Sequence, residues 1–268
     1  MILVLGDSGA DVKVLQHRLT KAGFSVIESG QFDEKTLNAV ISFQHKNNLV
    51  VDGIVGNKTT SALLNKDQTR WLSQQDLEHA AKELDVDMAS IHAIKAVESK
   101  GLGFLDDGRP KILYERHIMR RQLRKNGLGN IAISNAENNF PDLVNQKPGG
   151  YKGGAGAHYR LSLAKTIHEN SALESCSWGL FQIMGFHWKS LGYKSVQEFT
   201  ELMYQNEGNH WQAFIRFVKA DKALHTALKS KNWAEFARLY NGPAYKKNNY
   251  DTKLASAYAN YTPRKKAS

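Results

Sequence analysis

The sequence contains a single cysteine, Cys176, among 268 residues, and neither a CxxC nor an HExxH pattern. An internal disulfide, a zinc finger, a dithiol redox pair and a zincin are therefore excluded, and one lone thiol fits synthesis in a reducing compartment. No run approaches the ~20 consecutive apolar residues that a membrane-spanning helix needs, so a helical transmembrane protein is excluded as well. The opening Met1-Ile2-Leu3-Val4-Leu5-Gly6-Asp7 has no basic leader and no small-residue cleavage site, and no signal peptide is expected.

The chain is 41% hydrophobic, 10% aromatic and 23% charged, enough apolar material for a packed core. Its length predicts one large or two unequal domains. The net charge of +10 is unevenly spread: residues 1–66 carry 7 basic and 6 acidic side chains, and the remainder 29 and 20. The larger part thus favours an anionic partner. Nucleic acid, anionic lipid and a wall polymer bearing carboxylates and phosphates all satisfy that sign, because long-range attraction reads charge and not identity. No nucleic-acid-reading motif accompanies the charge, so nucleic acid is not expected as a partner.

The first 66 residues contain a short repeat. Gly30-Gln31-Phe32-Asp33-Glu34-Lys35-Thr36-Leu37-Asn38-Ala39-Val40 aligns with Gly53-Ile54-Val55-Gly56-Asn57-Lys58-Thr59-Thr60-Ser61-Ala62-Leu63, sharing Gly, Lys, Thr and Ala. Each copy reads as a turn feeding a helix. A further helix fits residues 11–19, where Val12, Leu15 and Leu19 form one stripe. The expectation is a small three-helix module with Leu15, Phe24, Phe32, Val40 and Phe43 as core. Leu5-Gly6-Asp7-Ser8-Gly9, Val12-Lys13-Val14-Leu15-Gln16, Phe43-Gln44 and Leu49-Val50-Val51-Asp52-Gly53-Ile54-Val55-Gly56 resemble the type 1 peptidoglycan-binding domain family. The resemblance implies binding of cell-wall glycan and stem peptide.

The polar run Asn65-Lys66-Asp67-Gln68-Thr69 announces a linker, set at 67–72, and a second domain is expected over 73–262, followed by a basic tail at 263–268. Ser73-Gln74-Gln75-Asp76 reads as a helix cap before Leu77, Ala80, Ala81 and Leu84, and a second helix spans about 87–99. Residues 101–116 hold four Gly or Pro breaks and the β-prone Lys111-Ile112-Leu113-Tyr114, predicting a small hairpin. Helical patterns return from 157 to about 261, so the second domain is expected to be mainly α.

In the helix over 87–99 the stripe of Met88, Ile91 and Ile94 continues to Glu98, which places that carboxyl on the buried side. Partial burial disfavours the ionised form, the property a general acid requires. The plainer alternative is a Glu at a fraying helix end, turned to solvent or paired with Lys95. Spacing does not decide between them.

Three motifs in order add to this: Glu98-Ser99, then Ser177-Trp178-Gly179-Leu180-Phe181-Gln182-Ile183-Met184, then Leu239-Tyr240-Asn241-Gly242. Together they resemble the lysozyme superfamily, especially goose-type lysozymes and soluble lytic transglycosylases. Ala96-Val97-Glu98-Ser99, Gly108-Arg109-Pro110-Lys111-Ile112-Leu113-Tyr114-Glu115-Arg116-His117, the block 177–185 and Tyr240-Asn241-Gly242-Pro243 are similar more closely to the phage endolysin N-acetylmuramidase family, over about residues 71–262. The resemblance implies a lysozyme-like α domain with a short β-hairpin, hydrolysis of the β-1,4 bond between N-acetylmuramic acid and N-acetylglucosamine, and host lysis. It further implies a monomer with no metal or organic cofactor, made in the host cytoplasm and reaching the periplasmic wall after membrane permeabilisation.

In such chemistry Glu98 is the expected acid and Glu115 the candidate second carboxylate, the alternative for Glu115 being pairing with Arg116 or Arg109. Ser99, Gln182, Tyr240 and Asn241 are the expected substrate-side residues, with Asn241 equally readable as a turn former before Gly242-Pro243. A lytic transglycosylase giving 1,6-anhydro products, which dispenses with a second carboxylate, is the alternative enzyme. An inert wall-binding protein is the alternative of another class.

Other features carry competing readings. Gly149-Gly150-Tyr151-Lys152-Gly153-Gly154-Ala155-Gly156 lacks the GK[ST] ending of a P-loop and is expected to be a mobile loop bordering the site. Cys176 is expected as a small buried residue and not a nucleophile. Residues 210–229, with Trp211, Phe214, Ile215 and Val218 on one face and Arg216, Lys219 and Lys222 on the other, are expected as a core helix. With the tail Arg264-Lys265-Lys266, a surface version would contact anionic membrane or lipopolysaccharide.

Overall fold

A computed structural model describes residues 2–99 and 101–262. The chain divides between His79 and Ala80 into two compact units.

The first unit is built on three helices, α1 (Ala10–Lys21), α2 (Glu34–Lys46) and α3 (Asn57–Leu63). Asp11 in the first turn of α1 and Arg18 and Lys21 in its last complement the helix dipole. The Asp33 carboxylate caps α2 by accepting the Thr36 N–H at 2.8 Å. Val12, Leu15, Leu19, Phe32, Val40 and Phe43 are buried together, and the ring of half-buried Phe24 meets Phe43 edge-on at 5.6 Å. The three-helix module expected from the repeat is present.

Each repeat is closed by one buried amide. Gln16, on α1, donates from Nε2 to the Gln31 carbonyl at 2.9 Å and to Thr36 Oγ1 at 3.0 Å. Its Oε1 accepts the Gly30 N–H at 2.9 Å. Gln44, on α2, repeats the pattern one copy later: Nε2 donates to the Ile54 carbonyl at 3.0 Å and to Thr59 Oγ1 at 3.2 Å, and Oε1 accepts the Gly53 N–H at 2.9 Å. The Gly and Thr shared by the two copies are therefore the partners of the two glutamines. Gly53 is held at φ +69, and a Cβ there would lie 2.5 Å from Leu37 Cδ1.

Helix α4 (Gln74–Leu84) carries the division between the units. It starts with a reciprocal cap in which the Ser73 N–H donates to Asp76 Oδ2 at 2.8 Å and the Asp76 N–H to Ser73 Oγ at 3.2 Å.

The second unit continues with α5 (Met88–Glu98), β1 (Ile112–Tyr114), α6 (Arg116–Lys125), α7 (Asn130–Asn139), α8 (Ala155–Ile167) and α9 (Glu169–Glu174). There follow β2 (Cys176–Trp178), β3 (Ile183–Met184), α10 (Val196–Gln205), α11 (Glu207–Ala220), α12 (Lys222–Lys229), α13 (Trp233–Asn241) and α14 (Tyr250–Tyr261). Asp87 caps α5, accepting the Ser90 N–H at 2.8 Å and the Ser90 hydroxyl at 2.6 Å. Ile91, Ala93, Ile94 and Val97 bury the apolar face of α5, and α14 packs against it, with Tyr261 stacked on His92 at 4.6 Å.

The β-element carries the expected short hairpin into a wider sheet. Within 101–116 the chain turns back on itself at the antiparallel bridge of Phe104 and Pro110, flanked by the Leu105 N–H on the Arg109 carbonyl and the Lys111 N–H on the Gly103 carbonyl, both at 2.8 Å, and β1 then pairs with distant β2 in antiparallel register, Ile112 opposite Trp178 and Tyr114 opposite Cys176. Strand β2 turns back into β3, giving a three-stranded sheet ordered β1-β2-β3. So short a hairpin buries too little to be stable alone, and the apolar strand at 176–178 supplies the further pairing. Cys176 is fully buried in β2, where loss of solvent pushes its thiol well above the usual range, the opposite of what a nucleophile requires.

The segment 210–229 forms parts of two helices, α11 and α12, and Trp211, Phe214, Ile215 and Val218 are at most 1% exposed. Its apolar face is core, so the lipid-contacting version is corrected: no apolar face remains there for a membrane or lipopolysaccharide. The tail residues Arg264, Lys265 and Lys266 lie outside the described residues.

Candidate active site

Glu98 is the last residue of α5 and is partly buried. Its carboxylate Oε1 accepts a hydrogen bond of 3.0 Å from Asn241 Nδ2. Asn241 is in turn the last residue of α13, where Gly242, at φ +79, ends the helix. Two helix C-termini thus bring a carboxylate and an amide face to face, and Asn241 is a side-chain partner rather than a turn former.

Tyr240, beside Asn241, is set in an aromatic cluster: its ring stacks on Phe236 at 5.8 Å and meets Phe214 at 5.5 Å and Phe217 at 5.9 Å edge-on. Its hydroxyl donates to the Phe181 carbonyl at 3.3 Å. Burial, and then the nearby negative charge of Glu98, raise the phenol well above its ordinary value, so it is held protonated.

Phe181 belongs to the turn 179–182 between β2 and β3, and that turn ends in Gln182, an exposed residue in the left-handed region at φ +51. Both ends of the Gln182 amide are engaged within the turn: Oε1 accepts from the Ser177 hydroxyl at 2.8 Å and Nε2 donates to the Gly179 carbonyl at 2.8 Å. A side chain that closes its own loop explains why a non-glycine residue tolerates that backbone. Ser99 likewise spends its hydroxyl on the chain, donating to the Lys95 carbonyl at 2.6 Å.

Glu115 has a separate set of partners. It is the N-cap of α6, its N–H tied to the Ser175 carbonyl at 3.0 Å, which anchors the end of β1 to the chain entering β2. Its Oε2 accepts the Tyr151 hydroxyl at 3.1 Å and lies 3.3 Å from His117 Nδ1. Neither expected arginine pairs with it: Arg109 binds Asp107, and Arg116 donates to the carbonyls of Lys147 at 3.0 Å and Pro148 at 3.1 Å. Gly149 and Gly150, at φ +117 and +67, pass against the Arg116 guanidinium, where a Cβ on Gly149 would lie 3.3 Å from it. The glycine-rich segment is thus strapped to Arg116, and it delivers Tyr151 to Glu115. Burial, then the Glu115 charge, raise the Tyr151 phenol.

The structure therefore joins Glu98, Asn241 and, through Phe181, Tyr240 and the turn bearing Gln182. Glu115 is grouped with Tyr151 and His117, two residues that sequence reasoning did not select. Tyr151 had a signal in its place within a glycine-rich run bordering the expected site; His117 stood within the quoted motif but had none of its own.

The N-acetylmuramidase family model matches residues 87–262, and the peptidoglycan binding domain model matches residues 8–63. The chain belongs to the N-acetylmuramidase family of peptidoglycan hydrolases and carries a peptidoglycan-binding module ahead of that domain. The crystal structure of the Burkholderia AP3 phage endolysin is similar along nearly the whole length, with 49% identity and a TM-score of 0.88 over 97% of this chain and 98% of that one. A probable N-acetylmuramoyl-L-alanine amidase of Bacillus licheniformis is 44% identical over 66 residues, 24% of this chain and 19% of that protein. The amidase CwlL of the same organism is 45% identical over 65 residues, 23% and 18% of the two chains. This chain spans about a fifth of the length of those curated relatives.

Proposed function

We propose that the protein is a lytic endolysin that engages peptidoglycan through its N-terminal module and hydrolyses the bond between N-acetylmuramic acid and N-acetylglucosamine. The observation that carries this reading is the Glu98 carboxyl at the end of α5, held by Asn241, in a chain whose family is that of N-acetylmuramidases. Cleaving a glycosidic bond requires a proton for the departing oxygen and stabilisation of an oxocarbenium-like transition state. Glu98 donates the proton, and Asn241 fixes the carboxyl that gives it up. Glu115 is the second carboxylate, accepting a proton from the attacking water, with Tyr151 fixing its orientation. Tyr240 acts as a neutral, half-buried phenol that ties α13 to the turn 179–182. Similarity to a phage endolysin supports a lytic role after the membrane barrier has been opened, acting on the wall.

Mass spectrometry of fragments released from purified peptidoglycan by wild type, Glu98→Gln and Glu115→Gln tests the reading. Reducing N-acetylmuramic acid ends from wild type, abolished in Glu98→Gln, are expected. Anhydro ends, lighter by one water, would make the enzyme a transglycosylase; reducing N-acetylglucosamine ends or cut peptides on intact glycan would overturn the assigned bond.

A further inference from the structure

Two ionisable side chains lie buried one helical turn apart at the start of α11, neither of them used by the chemistry above. Glu207 is 0% exposed, and its Oε1 accepts the Gly103 N–H at 2.8 Å. His210 is 1% exposed; its Nε2 is 2.7 Å from the Met203 carbonyl and its Nδ1 3.1 Å from the Leu180 N–H. A carbonyl can only accept and an N–H can only donate, so Nε2 carries the hydrogen and Nδ1 is the bare acceptor.

These two contacts close a ring of hydrogen bonds. The Gly103 carbonyl accepts the Lys111 N–H at 2.8 Å, and the Lys111 carbonyl accepts the Gly179 N–H at 2.8 Å. Gly179 precedes Leu180, which returns to His210. The ring leaves no room: a Cβ on Gly103 would lie 2.5 Å from His210 Nδ1, and one on Gly179 would lie 2.7 Å from His210 Cγ. From Leu180 the path continues to the acid. The next residue, Phe181, accepts the Tyr240 hydroxyl, and the residue after Tyr240, Asn241, donates to Glu98.

We propose that His210 is a positioning residue for Glu98, acting through the Leu180 N–H, the turn 179–182 and the Tyr240-Asn241 pair. The inference rests on the reading of Glu98 as the acid. The imidazole is suited to the task because it donates at one edge to α10 and accepts at the other from the turn, so it fixes the turn against the helical frame. The turn then fixes Tyr240, and with it the amide that holds the Glu98 carboxyl. A side chain that fills space without accepting from Leu180 leaves a buried N–H unpaired and lets the turn shift. Displacements on the order of 1 Å at a reacting group cost up to about 10²-fold in rate.

Two substitutions separate positioning from packing. His210→Asn places an amide oxygen where Nδ1 stands and keeps an acceptor for Leu180; His210→Gln reaches toward Met203 and leaves Leu180 without one. Both remove the ring and are expected to lower Tm alike. His210→Gln is expected to lose about tenfold or more in kcat on purified peptidoglycan with KM within about twofold, while His210→Asn retains most of the wild-type kcat. Equal kcat in the two variants, or a change confined to KM, overturns the inference. Should neither variant fold, Gly103→Ala displaces the ring without deleting it; a lowered kcat is then expected, and a full wild-type rate overturns the inference. Glu98→Gln assayed in parallel separates the failures: if it is inactive while the His210 variants match, only the positioning role falls; if it is fully active, the reading of Glu98 falls and the inference with it.

Discussion

The two carboxylates stand at opposite ends of their helices. Glu98 closes α5, where unsatisfied carbonyls gather, whereas Glu115 opens α6, where N–H groups gather. The field at a helix C-terminus disfavours negative charge and the field at an N-terminus favours it. The two candidate carboxylates thus sit at helix ends of opposite polarity. Their partners differ in the same sense: one amide holds Glu98, while a phenol and an imidazole face Glu115.

The sharpest way to break this asymmetry is to remove each carboxylate in turn. Glu98→Gln is expected to lower glycan cleavage by about 10³-fold, within the range of general acid catalysis. Glu115→Gln is expected to cost about 10²-fold, and a wild-type rate with anhydro products would move the enzyme to the transglycosylase class. Asn241→Ala removes a hydrogen bond to the Glu98 carboxyl worth about 1 kcal/mol, for a loss of about fivefold in kcat. Tyr151→Phe keeps the ring and deletes the donor to Glu115; because the residue is largely exposed, a loss of about threefold is expected, measured with the same peptidoglycan assay.

The smallest effect concerns the cap of the helix that ends in Glu98. Burial acts to raise the Asp87 carboxyl, but hydrogen bonds from the Ser90 hydroxyl and N–H, from Tyr258 and from Lys231 outweigh it and hold it at about 2, below its ordinary 3.8. The folded state thus releases this proton more readily than the unfolded chain. The stabilisation is complete above pH 3.8 and fades as pH falls toward 2. Thermal melts from pH 5 to pH 2 are expected to show a shallower acid decline for Asp87→Asn than for wild type. Parallel declines would assign acid lability to other groups.

Much of this was readable in the chain, and what was not shares a physical character. The stripes of α1 and α5 and the Ser73 to Asp76 cap are local, so periodicity and capping chemistry revealed them. The motifs around Glu98, Gln182 and Asn241 marked residues whose neighbourhood the structure then supplied. The partner of β1 was missed because Ile112 and Trp178 meet only after the chain has built four intervening helices. Tyr151 reaching Glu115, and Glu207 holding Gly103, are contacts of the same kind, made by single side chains across long separations. The stripe of Trp211, Phe214, Ile215 and Val218 announced the core face of α11, but nothing in the spacing singled out Glu207 or His210.

The twin glutamines of the N-terminal unit act as a ruler applied twice. An amide offers a donor on one side and an acceptor on the other, so a turn that slips by one residue presents the wrong group to both at once. Gln16 reads the distance from α1 to the turn before α2, and Gln44 reads the same distance from α2 to the turn before α3. A module this small has few side chains with which to reject a misthreaded loop. Two internal gauges let it do so with polarity instead of bulk.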